Sequence, residues 1–218
     1  MAVPISGHPK RRLLHTRKVV CSGYEREDGL FDIEGCLLDT KGIATQFVYN
    51  TVPADGVLHY MRITMTLDLN MEIRQLTAVT EKAPTPVCGQ VNRAYAALVG
   101  LRIGPGFKQR VAERVGGLKG CTHLTEMLGP MATTAIQTLA PVMQKRLRER
   151  AATDPDFKMP DHWVIGTCHA YHPDGDAARR VKEWRPGNDA GAHNPHEAPD
   201  EDELRTHLRP ARPSLRRS

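Results

Sequence analysis

The chain has 218 residues, 40% of them hydrophobic and 5% aromatic, which suits one domain with a core of Leu, Val, Ile, Met and Ala. The formal net charge of +5 is local: residues 1–20 carry five basic side chains and no acidic one, and the remainder holds 25 of each sign, so nucleic-acid binding is not expected. No apolar run approaches the roughly 20 residues that span a bilayer, and the N-terminal stretch lacks the apolar core of a signal peptide, so we expect a cytoplasmic protein without membrane contact.

Composition divides the chain into three parts. Residues 1–13 are basic and predict a flexible arm. Residues 14–185 contain nearly all the periodic apolar sequence and predict a single domain. Residues 186–218 contain prolines, glycines, acids and arginines with almost no apolar side chain, so we expect a disordered tail.

Strands are predicted first along the chain. Alternating apolar residues and β-branched residues mark three segments, which read LLHTRKVVCSGYER, GLFDIEGCLLDTKG and LHYMRITMTLDLNMEIRQLTAVTEK. The last segment is long enough for a hairpin that turns at DLNM. Because the connections are short, the sheet should be antiparallel, with a longer loop over residues 43–57.

Helical periodicity begins after Pro84. It predicts a short helix in PVCGQVNRAYAALVG, a second in GPGFKQRVAERVGG, and a long third helix from Thr122 that Pro130 and Pro141 kink or break. The segment DHWVIGTCHAYHPDGD predicts a last strand or extended segment that ends in a HPDG turn. Strands followed by helices indicate an α+β fold, with helices packed on one face of an antiparallel sheet.

Two of the five cysteines occupy similar places. Cys88 and Cys121 each follow a Gly- or Pro-rich turn and begin a predicted helix, where the helix dipole favours a thiolate. An odd count without a secretory signal argues against a disulfide framework. The two thiols either converge on one site or are two separate packed residues.

Histidines and acids supply further candidates. His123, two residues after Cys121, either binds the same metal ion as Cys121 or is a helix-capping or solvated histidine. His59 and His15 each begin a strand, where an ordinary surface or core role is the alternative. Glu34 and Asp39 lie in one predicted strand and are candidate general acids or bases, or parts of a solvated face.

A few other groups remain open. Arg17, Arg62 and Arg102 are candidates to bind an anion, with a solvated surface role as the alternative. In TCHAYH, Cys168 and His169 would point to opposite faces of a strand, so at most one of them joins a given site.

Several of these segments resemble a bacterial family, domain-of-unknown-function family 2889. The likeness extends over residues 13–185, and the block GCTHL is its most specific part. The resemblance implies no defined activity. Genes of such proteins often lie beside genes of aromatic-acid and acyl-CoA catabolism, which implies a catabolic setting.

The order of strands and cysteine-led helices also resembles the iron–sulfur scaffold fold. That family binds a cluster or zinc through three cysteines and an aspartate or histidine. Cys88 matches its middle cysteine and Cys121 its last, while Asp55 or His59 stands where its first would be. The loss of one thiolate makes a mononuclear site with mixed nitrogen and sulfur ligands more plausible than a cluster.

Together these observations predict one divalent transition metal, zinc before iron, held by His59, Cys88 and Cys121, with His123 as a fourth ligand or a catalytic group. The leading hypothesis is a metal-dependent lyase or hydrolase of a small aromatic or carbonyl-bearing catabolic substrate, with Glu34, Asp39 or His123 as acid or base. The alternatives are a metal or iron–sulfur carrier without catalysis, and a cofactorless enzyme or ligand-binding module with packed cysteines. The sequence does not predict the oligomeric state.

Overall fold

The computed structural model describes residues 9–158, 160 and 162–183. The predicted tail of residues 186–218 and most of the predicted arm of residues 1–13 lie outside them, so the proposed division of the chain stays a prediction. The chain separates into two compact units, Met1–Met143 and Gln144–Ser218. No helix in the described part combines the length and hydropathy needed to cross a membrane.

The first unit contains all the strands. They are β1 (His15–Glu25), β2 (Phe31–Lys41), β3 (Thr45–Gln46), β4 (Thr51–Val52), β5 (Val57–Leu67) and β6 (Ile73–Lys82). Four of them form an antiparallel sheet in the order β1-β2-β5-β6, and β3 pairs with β4 as a small separate hairpin. The predicted strands and the hairpin turn are confirmed: Asp68 donates its backbone N–H to Glu72 across that turn.

The helices follow the sheet. They are a 3-10 helix (Cys88–Leu98), α1 (Phe107–Val115), a 3-10 turn (Gly117–Lys119), α2 (Thr122–Thr153), a second 3-10 turn (His169–Tyr171) and α3 (Asp176–Glu183). The predicted α+β class is therefore confirmed. Pro130 and Pro141 lie inside α2 without ending it, so the predicted break is absent.

The predicted strand in DHWVIGTCHAYHPDGD is wrong. Backbone N–H groups there bond to carbonyls three residues earlier, as in Ile165 to His162 and Thr167 to Val164, and Gly166 has a φ of 78°. Local turns consume the donors that a strand would offer to a neighbour. The HPDG turn itself is confirmed, because Gly175 donates to the His172 carbonyl at 2.8 Å.

One face of the sheet carries the core. Along β2, buried Phe31, Ile33 and Leu37 alternate with less buried residues, as the two-residue period of a strand requires. The Cys88–Leu98 helix, α1 and the first part of α2 cover this face, and α2 approaches closely at Gly35, where a Cβ atom would lie 2.6 Å from Met131 Sδ. The absence of a side chain at Gly35 therefore allows α2 to pack closely on the sheet.

The helix α2 and the strand β1 run in the same direction. Arg17 near the start of β1 contacts Glu126, and Gly23 near its end lies against Thr138. Twelve helical residues and six strand residues both extend about 18–20 Å, so the two elements stay matched. The start of α2 consequently lies above the start of β1.

Candidate functional site

Three neighbouring strands place polar side chains in one row. The register pairs Arg17 of β1 with Asp39 of β2, and Asp39 with His59 of β5. Asp39 and His59 continue the buried face of their strands, and both are buried themselves. The end of the apolar core is therefore a line of charged and polar groups.

The register changes directly beyond this row. Asp39 pairs with His59, but the next pair is Thr40 with Val57, so β5 has one extra residue there. Such a bulge bends the strand and changes the direction of side chains, and bulges are frequent beside functional sites.

The carboxylate of Asp39 is the centre of the site. Arg17 donates from Nε to Oδ1 at 2.8 Å and from Nη2 to Oδ2 at 2.9 Å, and His59 Nδ1 lies 2.8 Å from Oδ2. His15 Nε2 lies 3.4 Å from Oδ1. The Asp39 side chain has no exposed surface, yet its oxygens are satisfied by cationic and imidazole donors.

The first turn of α2 completes the cluster from above. His123 Nε2 lies 4.0 Å from Asp39 Oδ2, and its ring centroid lies 4.0 Å from that of His59. Glu126, one turn later, accepts from Arg17 Nη1 at 3.3 Å. The other nitrogen of His123, Nδ1, lies 3.9 Å from Cys121 Sγ. His123 thus lies between a thiol and a carboxylate.

A buried tyrosine holds the turn before α2. The Tyr95 hydroxyl donates to the Cys121 carbonyl at 2.8 Å, accepts the Cys121 N–H at 3.0 Å and lies 2.8 Å from Thr125 Oγ1. The tyrosine comes from the Cys88–Leu98 helix and is fully buried. It satisfies a backbone donor at the helix start and so orients the residues leading to His123.

The cluster has the chemistry of a metal site. Among the described residues, Asp39, His59 and His123 form a group whose ligand atoms lie within 4.8 Å of one another. Two ligands on a tetrahedral zinc ion lie about 3.4 Å apart. The observed separations from Asp39 Oδ2, 2.8 Å to His59 and 4.0 Å to His123, bracket that value.

The protonation states agree with ligation. Burial lowers the pKa of His59 below its usual value, although the Asp39 hydrogen bond opposes this. Burial, with the charges of His59 and Arg17, also lowers the pKa of His123. Burial raises the pKa of Asp39, but the hydrogen bonds from Arg17 and His59 outweigh it and the pKa lies below the ordinary value. Neutral imidazoles and an ionised carboxylate are the forms that bind metal.

These pKa directions give a pH dependence. In chelator-treated protein, we expect the free energy of unfolding to fall as the pH drops below 6.5, the ordinary pKa of His59 and His123. The unfolded chain takes up protons there while the folded imidazoles resist them, so acid favours unfolding. Urea titrations between about pH 8 and 5 measure the slope. An equal slope in a His59→Gln/His123→Gln variant would contradict the assignment.

The structure brings some predicted residues together and separates others. His59, His123 and Asp39 meet, and Cys121 is their neighbour through His123. Cys88 lies elsewhere: its Sγ bonds Thr85 Oγ1 at 3.0 Å, in a helix that packs on β6. The same helix reaches Cys121 seven residues later, at Tyr95, so only its first turn, which carries Cys88, lies apart from the cluster.

Glu34 is also apart from the cluster. It is exposed, and it lies five positions before Asp39 in β2, so strand alternation directs it to the other face of the sheet. The predicted acid–base role of Asp39 and His123 stays a prediction, and Glu34 has no place beside them. The solvated-face interpretation suits Glu34 better.

The sequence did not indicate a role for two partners, and it indicated only a general one for a third. Tyr95 and Glu126 carry no motif, and Arg17 was considered only as one of several anion-binding candidates. A signal for Arg17 existed: Glu27, Asp28 and Gly29 form a three-residue hairpin loop with Gly29 at a φ of 79°, and pairing outward from it leads to Arg17 opposite Asp39.

The fold and the site define an α+β protein with an aspartate–histidine cluster on the core face of an antiparallel sheet. Residues 15–137, more than half of the chain, match the model of DUF2889, described as a protein of unknown function, and the chain belongs to this family. Every residue of the cluster lies within the matched region. No curated protein and no solved structure matches the chain, so the likeness to the iron–sulfur scaffold fold gains no support.

Proposed function

We propose that the chain is a metal-dependent enzyme that acts on a small carbonyl-bearing organic molecule. The observation that carries the proposal is the convergence of Asp39, His59 and His123 within 4.8 Å, on two strands and one helix. Two imidazoles and a carboxylate form a common ligand set of catalytic zinc and of non-haem iron, zinc being the first expectation. Such a set leaves coordination positions open.

The bound ion would supply a Lewis acid that polarises a carbonyl, or a water of lowered pKa. The protein's own groups would do the rest. Before an ion binds, Asp39 orients His59 through the Nδ1 contact of 2.8 Å, and Arg17 keeps that carboxylate ionised. Cys121, 3.9 Å from His123 Nδ1, orients the second imidazole or exchanges a proton with it. This chemistry suits a lyase or a hydrolase.

One observation favours a second candidate, a cofactorless acid–base enzyme. Arg17 engages both oxygens of Asp39, so an ion must share that carboxylate with a guanidinium. Without metal, His123 would link the Cys121 thiol to Asp39, an order seen when a thiol serves as nucleophile. An iron–sulfur carrier has less support, because the group formed by Asp39, His59 and His123 contains no cysteine and Cys88 lies apart from it.

Metal analysis tests the proposal. We expect purified protein to hold about one equivalent of zinc or iron, and His59→Ala or His123→Ala to weaken affinity by more than about 100-fold, since each removes a direct ligand. Cys88→Ala is the matched control and should bind as the wild type does. Elemental analysis and chelator competition measure both quantities. Protein with no metal and no affinity for added Zn²⁺ or Fe²⁺ would reject the proposal in favour of the cofactorless candidate.

A further inference from the structure

The site is open on one side. The side chains of Arg17, His15 and His123 are 36%, 37% and 28% exposed, whereas Asp39 at their centre has no exposed surface. Glu126 lies at the rim and is 61% exposed. A ligand that reaches the cluster therefore meets the guanidinium and the imidazoles first.

Two nitrogens of the Arg17 guanidinium form short hydrogen bonds to Asp39, and the third forms a longer one. Asp39 fixes its Nε and Nη2 at 2.8 and 2.9 Å, whereas Nη1 meets only the longer contact of 3.3 Å to exposed Glu126. An ion pair with a well-exposed carboxylate contributes little, because water competes for both partners. A guanidinium already fixed in direction loses little conformational freedom when another carboxylate replaces Glu126.

The charges favour an anion at this place. With a divalent ion bound, the ion and Arg17 bring three positive charges, and Asp39 and Glu126 bring two negative ones. The net charge of these groups is then one positive charge, and an incoming carboxylate would balance it. Guanidinium and carboxylate also match in shape, since both are planar and bond in parallel pairs.

We infer that the substrate is a carboxylic acid with a nearby carbonyl, a 2-oxo acid or a close relative, whose carboxylate displaces Glu126 from Arg17. The carbonyl part of this inference rests on the proposed metal function. The carboxylate part rests on the geometry of Arg17 and Glu126, and a bound ion would strengthen it through its charge. In the absence of substrate, Glu126 binds the Arg17 guanidinium and so competes with the substrate carboxylate.

The inference predicts opposite effects for two neighbouring variants. Pyruvate and benzoylformate serve as probes, each with its methyl ester as the uncharged control, and affinity is followed by calorimetry or by protein NMR. Glu126→Gln should tighten binding of at least one acid about 3-fold, because a competitor is removed. Arg17→Gln should weaken it about 10-fold or more, because charge-assisted hydrogen bonds are lost. The esters should respond to neither change.

The controls separate this inference from the proposed function. Glu149→Gln removes the same charge from another exposed position of α2 and should leave affinity unchanged. Metal content is measured on every variant. If metal is absent but the opposite effects persist, the metal function fails and the carboxylate site stands. If neither acid binds the wild type, or if Glu126→Gln leaves affinity unchanged, the inference is overturned; that variant alters only a surface residue, so misfolding does not obscure the result.

Discussion

Replacing Asp39 by asparagine should lower the free energy of unfolding of the metal-free protein by about 3 kcal/mol, the lower end of the range for breaking a buried ion pair. The carboxylate has no exposed surface and accepts from Arg17 and His59. An amide cannot offer both oxygens, so Arg17 keeps a charge without its partner and one amide hydrogen faces another donor. We expect the lower end of that range because Arg17 is 36% exposed, so water replaces part of the interaction that its guanidinium loses.

Urea denaturation in the presence of a chelator measures the effect. Glu34→Gln is the matched control, since it alters an acid of the same strand on the exposed face and should stay within about 0.5 kcal/mol of wild type. A loss in Asp39→Asn no larger than in Glu34→Gln would mean that the row of polar groups does not support the fold. Loss of metal affinity alone would assign Asp39 to ligation only.

Replacing Tyr95 by phenylalanine should cost about 2–3 kcal/mol of stability, because the buried hydroxyl makes three hydrogen bonds and the Cys121 N–H would be left without a partner. The effect should reach the site. With the turn before α2 loosened, His123 is less well oriented, and we expect metal affinity to fall about 10-fold, as for other residues that position a ligand.

Tyr24→Phe is the control for this change, because Tyr24 is 50% exposed. It should alter neither stability nor metal affinity. Thermal or urea unfolding gives the first quantity, and competition with a chromophoric chelator gives the second. A Tyr95→Phe protein with reduced stability but wild-type metal affinity would show that the hydroxyl supports the core without positioning His123.

Periodicity predicted most of the fold. Strands such as β2 alternate cleanly because one face is buried and the other is wet, and α1 repeats its apolar residues every three to four positions. The strand prediction for the segment after α2 was wrong because the segment contains β-branched residues typical of strands, whereas its backbone hydrogen bonds form local turns around Gly166. Composition does not distinguish a strand from turns when no partner strand is available.

The sequence predicted which residues take part in the site better than it predicted which of them lie together. His59, His123 and Asp39 were all candidates, yet the similar settings of Cys88 and Cys121 favoured a different set. Spacing along the chain indicates which residues begin a helix, but which sheet edge that helix rests on is a tertiary property. The register of the three-residue loop Glu27–Asp28–Gly29, followed outward, was the available signal for the pairing of Arg17 with Asp39.

The row across β1, β2 and β5 has a consequence for folding. Its members are 22 and 20 residues apart in the chain, and His123 follows 64 residues after His59, so no local stretch contains even two of them side by side. A register shift of one residue in any of the three strands would place that strand's polar side chain on the opposite face of the sheet. The cluster therefore assembles only after three strands have paired in register and α2 has docked, and ligand binding there reports a correctly folded sheet.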